Sequence, residues 1–532
     1  MEQFDYIVVG GGSSGCVMAA RLSEDPAAKV LLIESGRKDN NRFIHIPATF
    51  FKVVEAGRDV MAYVGEKSEL VNGRESYVLQ GHVIGGGSSV NAMIYIRGQS
   101  HDYDGWGQMG NRGWSYSDVL PVFRDLENNM EIADEFHGTD GPLHVSETNF
   151  HHPLSRAFIR AAQQTGMPYN PDFNGGDQEG VGFFQTTTHD GRRWSAAMAF
   201  LRDAEKRPNL KIMTETRVAR VTFEGNRATG VELEDGRAFA AAGEVILCAG
   251  AIETPRLLQL SGVGNGKDLK AHGIDVVADV PGVGENFQDH LEVNVQCQTS
   301  DPISLFKQDK GIAAAKHMAQ YLAFRSGLLT SNVVESGGFV NVSGGDIPDI
   351  QFHVLPVMVG FVGRDPIPEH GMSVNPCVLR PQSRGSVKLR SKNPKDKALF
   401  NAGSFNVAED MEVMLRGTKK AIDIFRAPAL AAICKDFSLP SPQAVNDDDA
   451  LRDFIRDTAK TVYHPCGTTK MAPQDDPMGV VDTELRVRGT KGLRVADASI
   501  MPRLVSGNTN APVMMIAERC ARFVIGRDSL LN

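Results

Sequence analysis

The sequence gives disulfide or zinc chemistry no foothold. Its seven cysteines (Cys16, Cys248, Cys297, Cys377, Cys434, Cys466 and Cys520) are odd in number, dispersed and never spaced as CxxC. That pattern predicts reduced thiols, and no metal site is expected. A basic excess is also missing. Lys and Arg number 56 against 65 Asp and Glu, a net charge of −9, which excludes the basic stripe of a nucleic-acid binder. No apolar run reaches the ~18 residues of a membrane span, so no transmembrane helix is expected. No basic amphipathic segment invites a membrane surface either, although a peripheral membrane contact stays compatible with the composition. The opening MEQFDYIVVGGG has acids where a secretory leader has bases and runs straight into a strand, so a cytoplasmic chain is expected. Proline tracts, low-complexity linkers and internal repeats are absent.

What the chain does have is length and clustered glycine. Its 532 residues exceed the ~250–300 at which one core stops growing, so two lobes are expected. Many of its 54 glycines sit in clusters, which mark close backbone approach to a ligand or to other backbone. FDYIVV (4–9) reads as a buried strand, CVMAARLSED as a helix and KVLLIE (29–34) as a second strand. Gly10-Gly11-Gly12-Ser13-Ser14-Gly15 supplies GxGxxG between the first strand and the helix, and Glu34 lies 19 residues past Gly15. In this setting the glycines admit a pyrophosphate, the helix amides bind it, and Glu34 accepts from a ribose hydroxyl. Gly10, Gly12, Ser13, Ser14, Gly15 and Glu34 are therefore expected to bind a dinucleotide. The same residues also match GxSxG, with Ser13 as a hydrolase nucleophile. A nucleophile elbow, however, sits on a later strand, with its acid and histidine following it.

Further strands are scattered along the chain. The stretch from Lys211 to Asp235 (KIMTET, VARVTFE, ATGVELED) alternates with period two and reads as a strand pair or meander. EVILCAGAIETP (244–255) reads as a buried strand ending in a glycine turn, and GLRVADAS (492–499) as another ending in an acid. NAPVMMIAERCARFVIG is a closing helix with Pro512 in its first turn. Between these, IQFHVLP and SVKLRS read as strands and DDDALRDFIRDTAK as a helix opened by its acids; His151 and His152 read as a solvated loop. Glu34 suits NAD or FAD. An NAD enzyme would show one compact nucleotide domain, whereas here the strands return near 246 and 495, and a second Gly/Ser loop, GHVIGGGSSVNA (81–92), needs a ligand or a tight partner.

Several long segments, in order, resemble the glucose–methanol–choline oxidoreductases, a family of FAD enzymes: GHVIGGGSSVNAMIYIRG, GAIETPRLLQLSGVG, VPGVGENFQDH, HPCGTTKM and VADASIMPRLVSGNTNAP. The likeness runs from Phe4 to Ile525. It implies an α/β fold: a Rossmann-type FAD domain built from residues 1–295 and 464–532, with excursions near 45–79 and 150–195. A substrate lobe with a mixed or antiparallel sheet would occupy 296–463.

The resemblance also implies a catalytic pair, His464 and Asn508. Alcohol oxidation needs a base for the hydroxyl proton while hydride leaves for flavin N5, and an Asn can hold the substrate oxygen without titrating. Taken alone, a His before Pro is an ordinary turn residue. The resemblance implies cofactor contacts from Gly85, Gly87, Ser88, Asn91 and Ala92 in the second glycine loop, from the Val218 backbone, and from Asp497, Ala498, Asn508, Thr509 and Asn510. Asp497 also reads as a strand-end capping acid, and Asn510 as an N-cap. Some relatives link FAD through a His where this chain has Val90, which implies non-covalent FAD. Glu335 falls where relatives place pocket residues. The implied reaction converts a primary alcohol or polyol to its aldehyde or ketone. YNPDFNGGDQEGVG and FRSGLLTSNVVESGGF resemble bacterial alcohol, choline and sorbose dehydrogenases, which implies a quinone-like electron acceptor. An oxidase reducing oxygen to hydrogen peroxide is the alternative.

Overall fold

The computed structural model describes residues 1–360 and 365–528. The apolar run Glu2–Val9 forms strand β1, Ser13–Leu22 forms helix α1 and Val30–Ile33 forms β2, with β1 and β2 parallel. All four β2 residues are buried, as expected of a parallel strand covered on both faces.

The first sheet gathers segments far apart in sequence. Leu210–Met213, β2, β1, Ala238–Leu247 and Leu493–Val495 lie side by side, all parallel. On its edge away from β1, strand 238–247 serves two partners. Its second half pairs with Leu493–Val495, and its first half pairs antiparallel with Arg227–Leu233, which pairs in turn with Val218–Glu224. Lys211 to Met213 thus belong to the sheet edge beside β2, not to the meander predicted from their alternation. EVILCAGAIETP likewise divides: the strand ends at Leu247, and Gly250–Leu260 is already helix.

The second sheet is antiparallel throughout. It runs from Cys434–Leu439 through Val295–Thr299, Gly371–Val378, Ile350–Leu355 and Ser336–Val340 to Gly180–Phe183. Two short strands, Leu291–Glu292 and Lys460–Thr461, extend it, the first pairing with both 371–378 and the second. Period-two alternation decides what each face does. Ile350, Phe352 and Val354 join a core with residues of helices Pro153–Gln164 and Ala408–Arg426. Gln351 and His353 therefore point to the opposite face. SVKLRS contributes only Ser386–Lys388, in a separate ribbon with Leu399–Asn401. Helix Asp448–Thr458 opens on Asp447, whose side chain accepts from the amides of Asp449 and Ala450. His151 and His152 are not a solvated loop. The His151 ring stacks on Phe183, and His152 is buried and caps helix 153–164 by accepting from Leu154 N.

Glycine matters most where α1 meets β1. A Cβ on Gly15 would land on the carbonyl oxygen of Gly10, so α1 can lie this close to the turn only with no side chain there. Gly15→Ala is expected to cost ~1–3 kcal/mol or more of stability, the usual range for overpacking a tight site. Chemical denaturation of the purified variant checks it; an unchanged midpoint and slope would show that the helix can retreat freely.

Candidate active site

A cavity of about 470 Å³ opens where the carboxyl ends of the parallel strands face the second sheet. Gly10, Gly12, Ser13, Ser14, Glu34, Gly87, Asn91, Ala92, Val218, Asp497, Ala498, Thr509 and Asn510 line it, together with His464 and Asn508. Gly15, Gly85 and Ser88 do not. Gly15 serves helix packing. The Gly85 amide donates to Gly11 O at 2.8 Å and locks the second glycine loop to the first, while Ser88 donates to Gly85 O at 2.6 Å and accepts from Ala196 N at 2.9 Å.

The dinucleotide end is built from backbone. The Glu34 carboxylate accepts from Gly11 N at 2.7 Å and Gly36 N at 2.6 Å, which holds both the first glycine turn and the bend after β2. Burial pushes Glu34 above the usual carboxylate range, opposed by those two amides. Gly86 crosses Gly12 so closely that a Cβ on it would sit 2.7 Å from Gly12 Cα, whereas a Cβ on Gly87 would meet only open space. A narrow cradle of main chain results, facing the amides at the start of α1 that have no intrahelical partner. Helix Asn510–Val524 starts at the same cavity. Thr509 is its N-cap and Asn510 its first residue, and Ser13 donates to Asn510 Oδ1 at 2.8 Å. The cradle, the amides and Glu34 fit a pyrophosphate and a ribose. Ser13 is not a nucleophile elbow: its hydroxyl is spent on Asn510 Oδ1, with Gly85 O its other neighbour, and among the described residues no histidine is bonded to it. Asp497 does what its capping alternative requires. It accepts from Gly250 N at 2.9 Å, Thr254 Oγ1 at 2.6 Å, Ser499 N at 2.8 Å and Ser499 Oγ at 2.5 Å, and so anchors two helical starts at the cavity wall.

At the other end His464 and Asn508 come together, with Asn508 Nδ2 at 3.5 Å from His464 Nε2. The remaining bonds are informative. His464 N donates to Asp289 Oδ1 at 2.9 Å, and its ring Nδ1 lies 2.9 Å from Nδ1 of His290. The far nitrogen of His290 is 3.0 Å from Leu379 O, which can only accept. His290 Nε2 therefore carries the hydrogen, and its bare Nδ1 accepts from His464 Nδ1–H. His464 Nε2 is left with a free lone pair toward Asn508 and the cavity. Burial holds His290 down at about 3, so the ring stays neutral and the relay keeps this sense. Burial, followed by the neighbouring His290 and His353, also holds His464 well below 6.5. Asn508 Oδ1 accepts from Gln351 Nε2 at 3.1 Å, which turns its amide toward the histidine.

Glu335 does not reach this cavity. Its carboxylate is 1% exposed and is consumed by Ser331 Oγ at 2.5 Å, His152 N at 2.6 Å and Ser155 Oγ at 3.0 Å. The acid at this end of the cavity is Glu292, with His353, Asn375 and Lys460 around it. None of these four, nor His290, was assigned a role from sequence. The available signal was the period-two pattern of IQFHVLP, which puts Gln351 and His353 on one strand face.

The chain resembles known proteins along nearly all its length. It is 42% identical to an alcohol dehydrogenase (acceptor) of Pseudomonas putida over 98% of this chain and 96% of the relative. An oxygen-dependent choline dehydrogenase of Brucella anthropi is 40% identical over 99% of this chain and 96% of its own. Among solved structures, pyridoxine 4-oxidase from Mesorbium loti superposes with a TM-score of 0.89 at 32% identity, covering 99% of this chain and 100% of its own. The family models for the two parts of a GMC oxidoreductase match residues 4–292 and 381–517. With both models matched in order and both segments lining one cavity, the chain belongs to the GMC oxidoreductases.

Proposed function

We propose that this chain binds FAD non-covalently and oxidises a primary alcohol or polyol to the aldehyde or ketone, with electrons leaving to a quinone-like acceptor. The observation that carries the reading is the bare Nε2 of His464, held beside Asn508 in the same cavity as the glycine cradle. In this reading residues 1–295 and 464–532, with excursions near 45–79 and 150–195, form the cofactor lobe and 296–463 the substrate lobe, and the substrate meets side chains of both. Gly10, Gly12, Ser13, Ser14 and Gly87 cradle the pyrophosphate, Glu34 accepts from the ribose, Val218 offers backbone to the adenine, and the start of helix 510–524 turns its positive end to the cavity. FAD, when bound, supplies the hydride acceptor. His464 takes the hydroxyl proton at Nε2 as the carbon gives up hydride. Asn508 Nδ2 donates to the substrate oxygen, and its own orientation is kept by Gln351. His290 is a positioning residue: it accepts Nδ1–H and so keeps the lone pair of His464 on the substrate side.

Val90 lines the cavity and offers no nucleophile for a flavin bond, so acid precipitation is expected to release all yellow colour to the supernatant. Colour retained in the pellet would refute non-covalent binding. Glu34→Ala leaves the Gly11 and Gly36 amides unpaired and removes bonds worth ~1.5–3 kcal/mol each when charge-assisted. The variant should purify with low flavin content; full occupancy at unchanged affinity would place the ribose elsewhere.

Anaerobic stopped-flow reduction by an alcohol tests the base. His464→Ala should keep its flavin spectrum while reduction slows ~10²–10⁴-fold, the usual contribution of a positioned base. Asn508→Ala should slow it less, since the proton acceptor remains. His464 must be neutral to accept, and its pKa lies well below 6.5. The rate should therefore stay level as pH falls through 6.5 and drop only at lower pH. His290→Phe should slow reduction and move that acid limb, with flavin content unchanged. A wild-type rate in His464→Ala would assign the proton to another group. Running the same alcohol panel with oxygen and with a quinone-like dye identifies the acceptor, and equal or faster turnover with oxygen would overturn the quinone assignment.

A further inference from the structure

Beyond His464 and Asn508 the cavity ends in polar side chains that the proton transfer leaves unused. Pairing register brings them together: Glu292 lies opposite Lys460, and His353 opposite Asn375. One carboxylate oxygen of Glu292 accepts from Lys460 Nζ at 2.8 Å, and the other from His353 Nδ1 at 3.1 Å. Asn375 Nδ2 stands 3.4 Å from the first oxygen. The side chains of Glu292 and Lys460 are 7% and 22% exposed. Burial alone would raise the Glu292 carboxyl, but Lys460 and His353 override it and hold it at about 2, so the acid is ionised. Asn375 is 1% exposed, and its Oδ1 has no partner. Because its amide nitrogen faces Glu292, the orphan acceptor is fixed as the oxygen.

The charge balance of this chamber has a consequence for the substrate. A carboxylate favours a cationic alcohol most when no other cation compensates its charge. Here both oxygens of Glu292 are engaged by donors, and an ammonium group already stands beside them. A second cation would find its counter-charge spent and a like charge alongside. An uncharged alcohol meets no such repulsion, and a further hydroxyl on it can satisfy Asn375 Oδ1, whose unpaired state otherwise carries a desolvation cost.

We propose that the Glu292–Lys460 ion pair sets the charge specificity of this enzyme: its substrate class is the uncharged, hydroxyl-bearing alcohols, and quaternary-ammonium alcohols are rejected. The proposal rests on alcohol oxidation at His464, and the test separates the two. Choline and 3,3-dimethylbutan-1-ol have the same shape and differ by a cationic nitrogen in place of a carbon. For the wild-type holoenzyme, kcat/KM and affinity should favour the neutral alcohol by ~10-fold or more, since like-charge juxtaposition costs several kcal/mol. Affinity is read from the perturbation of the flavin absorbance, which needs no turnover. Lys460→Met frees the carboxylate and should shift the ratio toward choline by ~10-fold or more. Glu292→Gln frees the ammonium instead. It should bind choline still more weakly and gain affinity for 4-hydroxybutanoate, and it keeps the test decisive if Lys460→Met fails to fold. Equal wild-type binding of the two isosteres, no binding of the neutral one, or a ratio unmoved in folded variants overturns the proposal. If the neutral alcohol binds in preference yet reduces no flavin, alcohol oxidation is what fails and the charge assignment stands.

Discussion

The bond between the Nδ1 atoms of His290 and His464 is the contact on which the proposed chemistry of the cavity depends. Two imidazoles can share it in only one way once a third partner is fixed, and Leu379 O fixes it because a carbonyl cannot donate. Leu379 directly follows the strand Gly371–Val378, so the second sheet decides which nitrogen of His464 is bare. Asn508, on the other side of His464, directly precedes the N-cap of the helix that closes the chain. A tautomer is thus set by hydrogen bonds from three distant parts of the sequence, without a carboxylate on either ring.

The absence of a carboxylate partner shapes the electrostatics. A histidine paired with an acid holds its proton more tightly, whereas burial, followed by the neighbouring His290 and His353, holds His464 well below its ordinary value. Such an imidazole binds a proton weakly, and near neutrality it is in the accepting form. Its nearest acid, Asp289, bonds the His464 backbone rather than its ring, and burial raises that acid to about 7. Asp289 therefore reaches the His464 main chain and leaves the ring to His290 and Asn508. The start of helix 510–524 adds positive potential at the cofactor side of the same cavity.

How much of this could be read from sequence followed from how local each feature is. The βαβ unit, and the meeting of the glycine loops and Glu34 at one cavity, were legible because that placement depends on residues a few positions apart and on a strand and helix that form around them. His464 and Asn508 were legible only through long segments resembling a family. Glu335 was misplaced for the complementary reason. Which acid of the second sheet reaches the cavity depends on which strands pair and in what register, and neither is written in the residues flanking it. Gly15 lies behind the cavity wall, where its missing side chain lets α1 pack on the first glycine turn. Lys211 to Met213 carry an alternation that suits an antiparallel meander equally well, and only the open edge beside β2 decides their place.

The same dependence on register explains how the polar end of the cavity is held. Leu291–Glu292 and Lys460–Thr461 are strands of two residues each, too short for backbone pairing alone to specify register strongly. A slip of one residue would turn Glu292 to the opposite face, into the apolar cluster that contains Val293 and Val295. A lone carboxylate buried there would cost far more than the pairing it gained, and Lys460 would lose its counter-charge. The ion pair thus has two physical effects at once. It makes the alternative register unfavourable, and it fixes the chamber as one where a carboxylate and an ammonium already satisfy each other before any substrate arrives.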